Sequence, residues 1–290
     1  MTKVALPYPK GRGPVQALAC GWSQNKRSQM GILEKFSLKG KVALATGGAG
    51  LYGRQVVSAL AESGAKTYVA SRNLKTLEVL AEEHRSRGED VTALELNLAE
   101  EISILKLKDE IMDRSGRIDV LVNNAVLRPM KKGFQDDAKT FAESMQVNAT
   151  GLFIVTRAFG GVMAKQKNGS IINVGSIHGI IGPDPTIYRG TDMSGWAPDY
   201  FFHKGGMINF TRFIASYYGS SGVRCNCVSP GGLWTAKMPE AFVRQYSDRT
   251  FLGRLANETD LMGAVVFLAS DASVYLTGAN IPVDGGYTAK

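Results

Sequence analysis

The sequence predicts an α/β protein, a doubly wound parallel sheet of about seven strands with helices on both faces. Three observations predict it. Short runs such as residues 41–46 (KVALAT) are apolar throughout, as parallel strands covered on both sides are. Helix-length segments alternate with these runs as far as residue 283. The first run passes directly into a glycine turn and then a helical pattern.

Residues 1–29 are rich in Pro, Gly, Lys and Arg and lack hydrophobic periodicity. A targeting peptide, a basic tail or an upstream extension would each fit. We expect a disordered or misassigned extension, with Met30 as the start and 30–290 as a single domain. The first strand, 41–46, leads into Gly47-Gly48-Ala49-Gly50-Leu51-Tyr52-Gly53 and a helix over 54–63. Strand, glycine turn and helix together form the context of a dinucleotide site. Gly47, Gly50 and Gly53 let the backbone approach a pyrophosphate, and the helix N-terminus supplies N–H groups to the anion. This makes the sheet Rossmann-type.

The second strand, 66–70, ends in Ser71-Arg72-Asn73, with no acid before Glu78. A carboxylate there would hold the ribose hydroxyls of NAD. Arg72 instead suits a 2′-phosphate, which favours NADP(H) over NAD(H). A helix over 74–87, a strand over 91–96, a helix over 100–114 and a strand over 118–122 follow. Asn123-Asn124-Ala125 then stands at a strand's carboxyl end, where ligands bind. A long helix is expected over 136–165 with Asn148, a poor helix former, in its middle. The fifth strand, 170–175, ends at Ser176. A loop rich in Gly, Pro and Asp precedes the helix that carries Tyr200 and Lys204. A strand over 223–228, a helix over 259–270 and a strand over 280–283 complete the pattern.

Tyr200 and Lys204 stand four residues apart, on one face of a helix. An ammonium beside a phenol lowers its pKa and prepares it to exchange a proton with an alcohol or carbonyl oxygen.

Composition excludes several classes. With 44% hydrophobic and 21% charged residues the chain is ordinary for a globular protein. The charge of +8 falls to +3 without the five cations of residues 1–29, too little to argue for nucleic acid. No apolar run is long enough to suggest a membrane span. Cys20, Cys225 and Cys227 form no disulfide framework and suit a reducing cytoplasm. His84, His178 and His203 have no zinc spacing, so no metal is expected.

Over residues 35–288 these motifs together resemble the short-chain dehydrogenase/reductase family: TGGAGLYG (46–53), Asn123-Asn124-Ala125, Asn148, Ser176, YFFHK (200–204) and Pro230-Gly231. The resemblance implies an NAD(P)-dependent oxidoreductase acting on CH–OH groups. Tyr200 would be the acid/base and Lys204 would lower its pKa and bind the nicotinamide ribose. Ser176 would hold the substrate oxygen, and Asn148 a relay water. Thr235 would hold the carboxamide. Asn123, Ala125 and Asn97 would line the adenosine side, with Leu51, Tyr52, Ser71, Leu98, Pro230 and Leu233 completing the cofactor site. Three features depart from the family. Leu51 stands where its shorter members have glycine, and Val126 where glycine is frequent. Ser176 and Tyr200 are 24 residues apart, about twice the usual separation. Tyr188 has nearly the usual spacing, but Asp192 follows it and would raise its pKa, so Tyr200 is preferred. The extra residues, 188–197, would form a loop at the mouth of the crevice.

Arg128, His178 and Trp196 are the candidate substrate contacts. Hydrogen-bonding and cationic groups suit a sugar acid, sugar or polyol, and the chain resembles gluconate 5-dehydrogenase-like members. A 3-ketoacyl-acyl-carrier-protein reductase is the alternative, and a non-catalytic dinucleotide-binding module the alternative of another class. The resemblance also implies a homodimer or homotetramer.

Overall fold

Strands that are apolar throughout must be covered from both sides, and in the computed structural model β1 (Val42–Thr46) is buried at every position, as is β5 (Gly169–Val174). The structure describes residues 30–290, so the expectations for residues 1–29 lie outside the described residues. Between β1 and β5 the chain forms α1 (Leu51–Glu62), β2 (Lys66–Ser71), α2 (Leu74–Arg85), β3 (Val91–Glu95), α3 (Glu101–Ser115), β4 (Val120–Asn123), α4 (Ala138–Met145) and α5 (Leu152–Gln166). After β5 come α6 (Pro198–Tyr218), β6 (Val223–Pro230), α7 (Glu240–Ser247), α8 (Met262–Ala269) and β7 (Asn280–Val283).

The seven strands form one parallel sheet in the order β3-β2-β1-β4-β5-β6-β7. The chain runs outward from β1 to β3, then returns to lay β4 on the other side of β1. That reversal opens a crevice above the carboxyl ends of β1 and β4. Alternate residues of β1 serve opposite faces. Ala43 and Ala45 pack with Val56 and Leu60 of α1 and Val265 and Leu268 of α8. Val42 and Leu44 pack with Leu107 of α3, Phe159 of α5 and Ile214 of α6.

Two elements differ from expectation. The long helix runs through residues 138–166, but Gln146–Gly151 is a π-helical segment and Asn148 lies inside it. Its length and apolarity would suffice to cross a bilayer, yet it covers the sheet and half of its apolar window is buried. The helix α7, absent from the sequence reading, forms because Phe242 and Tyr246, one turn apart, are both buried. Pro239-Glu240 at its start was the available signal.

Candidate active site

The crevice is a cleft of about 1220 Å³ running from the glycine turn to the start of α6. Its floor depends on backbone that no side chain could share. Gly47 has φ +72°, and a Cβ there would lie 2.6 Å from the Ala125 Cα. A Cβ on Gly53 would lie 2.3 Å from the Gly47 carbonyl oxygen. No side chain caps α1 at Gly50, which leaves its first N–H groups for an anion. Asn124 braces the turn by donating to the carbonyl oxygens of Thr46 and Gly47, at 3.1 and 2.9 Å. Across the cleft, the Tyr52 hydroxyl donates to the Gly231 carbonyl at 2.9 Å.

At one end Ser71, Arg72, Asn73 and Lys75 line the wall with Asn97 and Leu98. At the other, β5 delivers Ser176, and the first turns of α6 deliver Tyr200 and Lys204. Ser176 Oγ accepts from the His178 N–H at 3.1 Å and its side chain also hydrogen-bonds Tyr200. Lys204 is only 3% exposed and donates to the Val174 carbonyl. Its Nζ lies 5.7 Å from the centre of the Tyr200 ring. The Arg128 guanidinium covers the same ring at 4.0 Å and hydrogen-bonds the phenol. Burial by itself would raise the phenol's pKa. Lys204, Arg128 and the hydrogen bond from Ser176 outweigh it and hold Tyr200 below the ordinary value. Burial also lowers the Lys204 pKa, against the pull of Tyr200. His178 stacks on Phe201 at 4.5 Å, and burial together with Arg128 pushes its pKa down to about 4, so its imidazole is neutral. Such a centre can exchange a proton with an oxygen held between Ser176 and Tyr200.

The family described as Enoyl-(Acyl carrier protein) reductase matches residues 50–288. The chain belongs to the short-chain dehydrogenase/reductase family. It is 32% identical over 253 residues to a 3-oxoacyl-[acyl-carrier-protein] reductase of Thermotoga maritima, covering 86% of this chain and 98% of that protein. It is equally similar, 32% over 259 residues, to the galactitol 2-dehydrogenase (L-tagatose-forming) of Cereibacter sphaeroides, covering 87% of this chain and 97% of the relative. A gluconate 5-dehydrogenase from Burkholderia cenocepacia, solved in complex with NADP and tartrate, superposes with a TM-score of 0.81 at 28% identity. That match covers 90% of this chain and all of the other. The protein is therefore a dinucleotide-dependent oxidoreductase of alcohol and ketone groups. The uncapped helix and the glycine turn fit that cofactor's pyrophosphate.

Several expected site residues of this short-chain dehydrogenase/reductase are placed elsewhere. Asn123 does not line the cleft: its side chain is buried and donates to Thr156 and Asn173, at 3.2 and 2.9 Å. Strand alternation turns it inward and leaves Asn124 at the cleft. Thr235 and Trp196 are off the cleft wall, with Trp196 turned to solvent. Asn97 does line the cleft wall, but its side chain caps its own turn, donating to Glu100 and accepting from the Ala99 N–H. Asn148 lies behind the cleft. It accepts from the Leu127 N–H and donates to Leu127 O and Ser144 Oγ, which uses both amide hydrogens and one of the oxygen's two lone pairs.

Tyr188 lines the cleft wall and packs on Phe242 at 5.5 Å. Its pKa is raised, by burial first, with Asp184 rather than Asp192 as the contributing carboxylate and Arg128 opposing. The added loop contributes Met193, Ser194, Gly195 and Ala197 to the mouth. Sequence reasoning missed Tyr246, whose hydroxyl accepts from the Gly232 N–H at 2.6 Å and holds the loop after β6. It belongs to the unrecognised α7.

Proposed function

We propose that the protein interconverts a secondary alcohol and a ketone on a sugar acid, sugar or polyol, using NADP(H) in preference to NAD(H). The charge of the cleft carries this reading. Arg72, Lys75, Arg128 and Lys204 line it, and no carboxylate does among the described residues. Arg72 and Lys75 favour a phosphate on the adenosine ribose. Arg128, at the reacting phenol and in no ion pair with a described carboxylate, favours an anionic or polyhydroxylated substrate. The NADP and tartrate held by the Burkholderia cenocepacia neighbour support both choices.

In reduction Tyr200 gives its proton to the carbonyl oxygen while Ser176 hydrogen-bonds that oxygen. In oxidation Tyr200 takes the alcohol proton. Lys204 keeps the phenol acidic and would hold the nicotinamide ribose. A chamber of about 10 Å³ between Asn148 and Lys204 has room for the relay water. The bound nicotinamide supplies or accepts the hydride.

The test is steady-state turnover of sugar acids, polyols and 3-ketoacyl thioesters with each cofactor. We expect sugar acids or polyols with NADP(H) to give the highest kcat/KM. Turnover confined to thioesters would instead establish the ketoacyl reductase reading, which the Thermotoga maritima relative supports. A dimer or tetramer formed through α5 and α6 is part of the proposal. Phe153, Phe213 and Tyr217 are exposed on those helices, and Phe213 stacks on Tyr217 at 5.9 Å. Light scattering would give the mass.

A further inference from the structure

His203 immediately precedes Lys204 and is 4% exposed, yet neither of its ring nitrogens has a hydrogen-bond partner in the described residues. Buried imidazoles ordinarily satisfy at least one nitrogen. The ring stands edge-on to Tyr200, with centroids 5.3 Å apart. It also lines the small chamber behind the cleft, together with Asn148, Lys204 and Asn123. The Asn123 Oδ1 atom on that wall is likewise without a partner. Around one space thus converge two unsatisfied side chains and an ammonium that uses one hydrogen on Val174.

We propose that His203 is a positioning residue for proton transfer: with Asn123 it orients a water molecule that accepts a hydrogen bond from Lys204. The bonding closes for the water, which satisfies one of the two ring nitrogens. A neutral imidazole offers one acceptor nitrogen, and Asn123 Oδ1 is a second acceptor. A water giving one hydrogen to each turns its lone pairs toward the Lys204 ammonium, and so has three partners, as buried waters typically do. The charged and titratable groups around the ring are Tyr200 and Lys204 on its own helix and Arg128 from the loop after β4. Burial, then Lys204 and Arg128, push its pKa down to about 3, so the ring orients the water without competing for the proton. The inference rests on Tyr200 and Lys204 being the proton-transfer pair proposed above.

A crystal structure of the wild-type protein at a resolution that shows ordered water tests the site directly. The expected result is a water within hydrogen-bond distance of Lys204 Nζ, Asn123 Oδ1 and one ring nitrogen of His203. A chamber without water, or a water that touches only Lys204 and Asn148, overturns it. Kinetics supply the second arm, on the sugar acid or polyol that turns over fastest. His203→Leu should lower kcat about tenfold or more and enlarge the solvent deuterium effect on kcat. Cofactor affinity should not change. His203→Gln or His203→Asn, which keeps a polar atom near one ring nitrogen, should recover most of the rate. Unchanged kcat in His203→Leu would overturn the proposal. So would equal losses in all three variants that track thermal stability. If His203→Leu does not fold, the water positions in the wild-type crystal structure decide. Retention of activity by Tyr200→Phe would instead sink the underlying assignment.

Discussion

The Arg128 guanidinium lies 4.0 Å from the centre of the Tyr200 ring, so two cations rather than one face the phenol. Lys204 approaches from the next turn of the same helix, Arg128 from the loop after β4. Both favour the phenolate. The reaction centre is therefore electropositive before any ligand enters.

Replacing Arg128 with Met removes one of these charges and its hydrogen bond. The phenol's pKa then rises. Alcohol oxidation needs the phenolate and is lost as pH falls through that pKa. The acid limb of kcat for oxidation should accordingly move to higher pH in Arg128→Met. A pH profile unchanged from wild type would show that the guanidinium does not act on the phenol.

Tyr200→Phe keeps the ring's packing against His178 and His203 and removes only the hydroxyl. We expect kcat to fall by about a thousandfold, with cofactor affinity retained. Tyr188→Phe should lose far less, because burial raises that phenol away from working pH. Paired kinetic and cofactor-titration measurements distinguish the two.

At the other end of the cleft, Arg72→Ala should raise KM for NADP about 10- to 100-fold, the equivalent of ~1.5–3 kcal/mol for a charge-assisted hydrogen bond. KM for NAD should barely move, since NAD has no phosphate there. Equal effects on both cofactors would place the arginine elsewhere in recognition.

Asp184 ties the turn at Pro185–Tyr188 to Arg249: it accepts from Thr186 and, at 2.8 Å, from Arg249. The Thr186 hydrogen bond first, then Arg249, hold its pKa down to about 2, below the ordinary carboxylate range. A depressed carboxylate contributes stability that is fully present above its unfolded pKa and is lost as pH falls toward its folded one. Thermal melts of wild type and Asp184→Asn should differ near neutrality and converge as pH drops from about 4 to about 2. A constant difference across that window would rule out the ionised pair as the cause.

Much of this protein was legible without coordinates because the relevant signals are local. Apolar runs, the glycine turn and the helix carrying Tyr200 and Lys204 follow from strand burial, backbone sterics and a spacing of one helical turn. The seven strands stand within a residue or two of where those patterns put them. The short helix α7 escaped because two buried aromatics one turn apart become a signal only once there is a surface to bury them.

The side chains that converge on the phenol were another matter. Which of two neighbouring asparagines faces the cleft depended on the register of β4, which turned Asn123 into the core and left Asn124 outside. Whether Tyr188 or Tyr200 was the acidic phenol depended on burial and on cations from separate elements. Arg128 and Tyr200 are 72 residues apart in the chain and meet only because β4 and β5 pair while α6 packs on that sheet. Sequence could name the chemical groups, since identity and local spacing are written in it. Only the packed sheet decided their distances, and electrostatic influence on a proton depends on distance and on how much water has been excluded.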